Sequence, residues 1–78
     1  MEFDTIKIDR MDTVYLLTLD RPERLNAMSQ KMLSEIAVAC DMFEKDPSCR
    51  VVVVTGSGKA FTSGFDLQDQ AQKTPKGI

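Results

Sequence analysis

The sequence contains no histidine and no tryptophan. Without histidine the chain cannot build the usual Cys–His zinc spacings or a Ser-His-Asp triad. Cysteine is scarce too, with Cys40 and Cys49 alone. The acidic start Met1-Glu2-Phe3-Asp4 has no apolar signal-peptide core and no Arg-rich transit character. The two cysteines are therefore expected as reduced, half-buried thiols rather than a bridge. The same features suggest a soluble intracellular protein, and cytoplasmic, mitochondrial and peroxisomal locations all suit it. Charge of one sign is not in excess: Lys+Arg 10 against Asp+Glu 12 gives a net charge of −2. That leaves no basic stripe for nucleic acid and no polybasic patch for a membrane surface. Long apolar runs are missing as well. Val51-Val52-Val53-Val54 is far short of the roughly 20 residues of a spanning helix. At 78 residues the chain makes at most one small domain. Such a chain buries about 60% of its unfolded surface and is marginal without a partner.

What is present reads as an α/β pattern. Thr5 to Arg10 alternates, with Ile6 and Ile8 on one side and Lys7 and Asp9 on the other, as in a half-buried strand. Met11-Asp12-Thr13 is a turn. Val14-Tyr15-Leu16-Leu17-Thr18-Leu19 is apolar on both faces, so a more buried strand closes a hairpin. Pro22 cannot donate to a ladder and ends it. Asp20 to Ala27 is a loop. Ser29 is the expected N-cap of a helix, with Met32, Leu33, Ile36, Ala39, Cys40 and Phe43 as its apolar stripe. Lys31, Glu35 and Glu44 fall on the polar side, and Asp46-Pro47 stops it. Residues 51–54 predict a strand buried on both faces, as in a parallel sheet; if it lies parallel to the earlier strand, the strand–helix–strand order makes a right-handed crossover. A break at Gly56-Ser57-Gly58-Lys59 follows, then Gly64, then the start of a short helix over 66–72. Residues 73–78 form a flexible tail. This is a ββαβ arrangement with one helix for a strand that has two faces to cover. The pattern predicts a piece of a larger layer structure or an obligate partner.

Several motifs fail. Gly58-Lys59 is followed by Ala60, and Val53 occupies the first glycine position of a phosphate loop. The dinucleotide fingerprint fails at Phe61. No G-x-S-x-G elbow occurs. Asp66 and Asp69, three apart, are explained by a charge bias toward a helix N-terminus.

Two stretches together carry chemistry. Leu19-Asp20-Arg21-Pro22-Glu23-Arg24-Leu25-Asn26-Ala27-Met28 and Val53-Val54-Thr55-Gly56-Ser57-Gly58-Lys59-Ala60-Phe61-Thr62-Ser63-Gly64-Phe65-Asp66-Leu67 resemble the two N-terminal signatures of the crotonase (enoyl-CoA hydratase/isomerase) family. These are a strand ending in R-P-x-x-x-N-A and a strand leading to G-x-G-x-x-F-x-x-G-x-D-[LI]. The resemblance covers residues 4 to 72. It implies the N-terminal ββαβ portion of the crotonase (ClpP-like) spiral fold, incomplete over residues 1–78.

The resemblance also implies an acyl-CoA enzyme. An enolate-like state puts negative charge on a thioester oxygen, and two backbone N–H groups aimed at that oxygen stabilise it. The carry-over places one donor on the backbone N–H of Phe65. Gly64 frees the turn, and the ring of Phe65, where relatives often have Ala, would shape the acyl pocket. Ser63, Gly64, Asp66 and Leu67 would line the coenzyme A groove. Arg24, Leu25 and Ala27 would lie near the adenine and pantetheine, with Arg24 either a phosphate contact or a solvated cation. Asn26 is expected as a loop cap rather than a ligand.

No separate cofactor is implied, because coenzyme A enters as part of the substrate. The second oxyanion donor and the acid/base residues are expected beyond residue 78, so residues 1–78 alone should be inactive. A homotrimer or a hexamer is implied for the full-length protein. Within the family, the stretch from Lys59 to Asp69 looks most like the Δ3,5-Δ2,4-dienoyl-CoA isomerases of β-oxidation. Enoyl-CoA hydratase and a non-catalytic CoA-binding protein are the alternatives.

Overall fold

A computed structural model describes residues 3–64 and 66. Phe65, Leu67, the continuation of the expected helix over 67–72 and the expected tail over 73–78 lie outside the described residues. The elements are β1 (Ile6–Met11), β2 (Val14–Leu19), a 3-10 turn (Pro22–Arg24), α1 (Gln30–Lys45) and β3 (Val51–Gly56). The ββαβ order is the expected one, although β1 runs one residue further and takes in Met11.

β1 and β2 form an antiparallel hairpin with Ile6 opposite Leu19 and Met11 opposite Val14. Asp12 and Thr13 connect them, and Asp12 has φ 58. Two-residue hairpin turns require such left-handed residues, and a short polar side chain tolerates that conformation. β3 adds to β2 in parallel, with Val14 opposite Val51 and Leu19 opposite Gly56. A parallel neighbour needs a crossover, and α1 supplies it.

Ser29 caps α1 as expected, its Oγ accepting the Met32 N–H at 3.1 Å. Asp46 ends the helix, followed by Pro47. The core lies between α1 and one face of the hairpin: Ile6, Leu17 and Leu19 from the sheet, Met32, Ala39 and Phe43 from the helix. The Tyr15 and Phe43 rings pack with centroids 4.8 Å apart.

Three expectations are corrected. Val51, Val52, Val53 and Val54 are not buried on both faces; they are 38–50% exposed. Among the described residues β3 is the sheet edge, with β2 on one side only, and the core draws on β1 and β2 instead. Cys40 is exposed rather than half-buried, while Cys49 is half-buried, and both are free thiols. The buried stripe follows Met32, Ala39 and Phe43, and Cys40 falls just off it. Glu35 is not on a solvated face. It accepts the Asp4 and Thr5 N–H groups, each at 2.8 Å, and the Thr5 hydroxyl at 2.5 Å. Partial burial works to raise its pKa, but those bonds prevail and the net shift is downward.

The C-terminus of α1 is tied to the hairpin by Asp46. Its carboxylate accepts the Tyr15 hydroxyl at 2.7 Å and the Ser48 N–H and hydroxyl at 2.9 and 2.7 Å. Arg10 lies 3.6 Å away. The Tyr15 hydroxyl foremost, then Ser48, lower the Asp46 pKa from 3.8 to about 2. A carboxyl depressed in the folded state stabilises it above the unfolded pKa, and that contribution disappears as pH falls through the folded one. The chain should therefore lose stability between about pH 4 and pH 2. In urea titrations across that window, Asp46→Asn should flatten the loss; an unchanged pH slope would rule Asp46 out as a source of acid sensitivity. Glu35 titrates in the same sense, so some slope remains in the variant.

Candidate functional site

Because β2 and β3 are parallel neighbours, the loops leaving their carboxyl ends emerge side by side. One is residues 20–29, the other residues 57–66. Asn26 joins them. It is fully buried, and its Nδ2 donates to the carbonyls of Ser57 and Ala60, both at 2.8 Å. Its Oδ1 accepts the Arg21 N–H at 2.7 Å. This is the loop-capping role expected of it. Leu25 and Asn26 both have positive φ, 51 and 55, which turns the chain back under the second loop. Ser57 adds a hydroxyl donated to Asp20 Oδ1 at 2.9 Å.

Gly56 is required by close approach. A Cβ built there would stand 2.3 Å from the Phe61 carbonyl oxygen and 2.6 Å from that of Ala60. Gly58, at φ 77, makes the turn that follows.

Ser63, Gly64 and Asp66 then pair with residues 25–28. The Ser63 N–H donates to the Leu25 carbonyl at 3.0 Å, the Met28 N–H to the Gly64 carbonyl at 2.8 Å, and the Asp66 N–H to the Met28 carbonyl at 3.0 Å. Thr62 locks the approach: its hydroxyl donates to the Asn26 carbonyl at 2.7 Å and accepts the Gly64 N–H at 3.1 Å. Gly64 has φ 96, a region costly for any residue with a Cβ.

The structure thus gathers the expected site residues Arg24, Leu25, Ala27, Ser63, Gly64 and Asp66 into one place. Arg24 and Leu25 are each 48% exposed, and Ser63 is exposed. Ala27 is buried, with its carbonyl turned to Arg21 Nη1 at 2.5 Å. The Asp66 carboxylate is buried and lies 3.4 Å from both Arg21 and Arg24. Phe65 and Leu67 lie outside the described residues.

Two participants escaped the sequence reading. Arg21 joins Ala27 to Asp66, a pairing hidden by a sequence separation of 45. Thr62, two residues before Gly64, is a local hydroxyl-turn signal that could have been recognised. Among the described residues no group of three His, Cys, Asp or Glu could hold a metal ion, and no helix is long and apolar enough to cross a membrane.

Comparison with known proteins agrees with this geometry. The Enoyl-CoA hydratase/isomerase family matches residues 9–77. A Mycobacterium tuberculosis protein described as a probable enoyl-CoA hydratase is 35% identical over 74 residues, 95% of this chain and 29% of the relative. The mitochondrial Delta(3,5)-Delta(2,4)-dienoyl-CoA isomerase of Mus musculus is 47% identical over 55 residues, 70% of this chain and 17% of the relative. The crystal structure of an enoyl-CoA hydratase/isomerase from Xanthobacter autotrophicus Py2 superposes with TM-score 0.88 at 43% identity, covering 97% of this chain and 28% of that one. The chain thus spans under a third of the length of these proteins.

Proposed function

Because this chain belongs to the enoyl-CoA hydratase/isomerase family and folds as the N-terminal ββαβ portion of the crotonase fold, we propose that the protein carrying it is an acyl-CoA enzyme that stabilises an enolate with backbone N–H groups. One donor is the amide of residue 65. The observation that supports this is the disposition of its neighbours. The N–H groups of Ser63, Gly64 and Asp66 are each consumed inside the protein. A donor from this stretch must therefore come from position 65. The Gly64 carbonyl accepts the Met28 N–H, which pins this stretch to the neighbouring loop.

An oxyanion there would gain a preorganised dipole at the position where charge develops. Arg24, half exposed on the adjoining loop, suits a phosphate of coenzyme A. Coenzyme A enters with the substrate, and no further cofactor is invoked. Proton-transfer groups come from other parts of the protein, and the same reading expects trimers or pairs of trimers. Isomerisation of an enoyl- or dienoyl-CoA is the reaction proposed, on the likeness to the mouse dienoyl-CoA isomerase over 55 residues. Hydration is the second reading, on the likeness to the mycobacterial protein over 74.

The test compares Phe65→Pro, which deletes the N–H, with Phe65→Ala, which keeps it. Removing one such donor should reduce kcat by about 10²–10³-fold, while the alanine variant stays within about tenfold of the parent. Full turnover by the proline variant would exclude this amide as donor. Turnover of 2-enoyl-CoA against 3,5-dienoyl-CoA separates hydration from isomerisation. Binding of acyl-CoA without turnover of either would favour a non-catalytic CoA-binding protein.

A further inference from the structure

We infer that residues 3–5 form a strap, latched by Glu35 of α1, that holds the roots of the two site loops, Asp20 and Ser57. These residues precede β1 and take no part in its ladder. Thr5 is nevertheless buried, and its three polar groups are all engaged. Its N–H and hydroxyl donate to Glu35 Oε1 at 2.8 and 2.5 Å. Its carbonyl accepts the Asp20 N–H at 2.8 Å. The Asp4 N–H donates to the other Glu35 oxygen at 2.8 Å. Thr5 is thus a joint between the helix and the first residue of the loop that follows β2.

Asp20 passes the connection on. Its Oδ1 accepts the Ser57 hydroxyl at 2.9 Å, and the Ser57 N–H donates to the Leu19 carbonyl at 2.9 Å. α1 therefore holds the first loop at both ends, along the chain at Ser29 and across space through Glu35 and Thr5. The other contacts of the strap do less to direct it. Lys31 pairs with the Asp4 carboxylate, but both side chains are exposed, and exposed ion pairs stabilise little. Phe3 packs against the core, which holds the strap down without aiming its polar groups. The three bonds to Glu35 aim them, and bonds to an ionised acceptor belong to the strong class.

Hydrogen exchange in the protein carrying this chain tests the strap, with Glu35→Gln and Thr5→Val as variants. The glutamine puts an NH₂ where one acceptor oxygen stood, and the valine removes the hydroxyl alone. The amides to follow are those of Asp20 and Ser57 against Leu17, which lies mid-hairpin opposite Ile8. In Glu35→Gln, exchange at Asp20 and Ser57 should quicken about tenfold or more, and at Leu17 less than about threefold, as expected of a local opening. Thr5→Val should give the same pattern with a smaller amplitude. Asp46→Asn cuts a tie at the opposite end of the hairpin and should leave the ratio of Asp20 to Leu17 as in the parent. A merely stabilising role for Glu35 would quicken all three amides alike and would overturn the proposal. So would unchanged exchange at Asp20 and Ser57, or quickening at Asp20 alone, which would leave the second loop independent of the strap. If Glu35→Gln does not fold, Thr5→Val decides by the same criteria.

Discussion

Asn26→Ala should lower the unfolding free energy of the chain by about 2–4 kcal/mol. The substitution strands the Arg21 N–H and the carbonyls of Ser57 and Ala60, which Asn26 satisfies from a fully buried position. A buried polar group left without its partner costs about 1–3 kcal/mol, and partial relaxation or entry of water reduces the sum. Asn26→Asp is the sharper control. It has the same size and keeps an acceptor for Arg21, but it places an oxygen against two carbonyl oxygens where the amide donated. It should destabilise at least as much as alanine. Urea unfolding of the three chains checks this. A loss below about 1 kcal/mol in both variants would mean that the two loops are held together by other contacts.

Gly56→Ala is the second large effect, and its cause is steric. The added methyl would stand 2.3 Å from one backbone oxygen and 2.6 Å from another. Neither obstacle is a side chain that can rotate away, so the loop itself must shift. Overpacking of this kind costs about 1–3 kcal/mol, occasionally more. Residues 60–64 should move with it, visible as large amide shifts there and small ones in α1. Undisturbed amides at 60–64 would contradict the expectation. The Ala60 carbonyl is also a partner of Asn26, so the two substitutions share a contact. Neighbouring sites couple, and because both substitutions disturb this one contact, their combined effect should be less than additive.

Much of the fold was legible because its signals are local. The Ser29 cap, the Asp46-Pro47 stop and the two-residue hairpin each depend on residues within a few positions of one another. The strand–helix–strand order allowed a parallel β3, and the structure shows that pairing. Glu35 was misread because its partners, Asp4 and Thr5, lie some 30 residues away, and helical spacing alone assigns it to solvent. Arg21 was missed for the same reason. The valines of β3 misled in the opposite way. Their composition states what a strand can tolerate, whereas exposure depends on which elements lie against it. In the site, the motif spacing named two loops that the structure places side by side, but the division of labour within them required coordinates. Asn26 and Arg21 organise the loops, Asp66 is enclosed between two arginines, and Arg24 is half open to solvent.

The valine edge also governs how the chain behaves in solution. Among the described residues no strand lies beyond β3, so one row of its N–H and C=O groups forms a ready template for another molecule. Four uncharged, β-branched residues without proline are also favourable material for intermolecular cross-β stacking. Arg50 and Lys59 bracket the run and act as electrostatic gatekeepers against it. Their mutual repulsion between approaching molecules weakens with ionic strength, since the screening length shrinks to about 3 Å at 1 M salt. Salt, by shielding that pair of cations, favours self-association along β3.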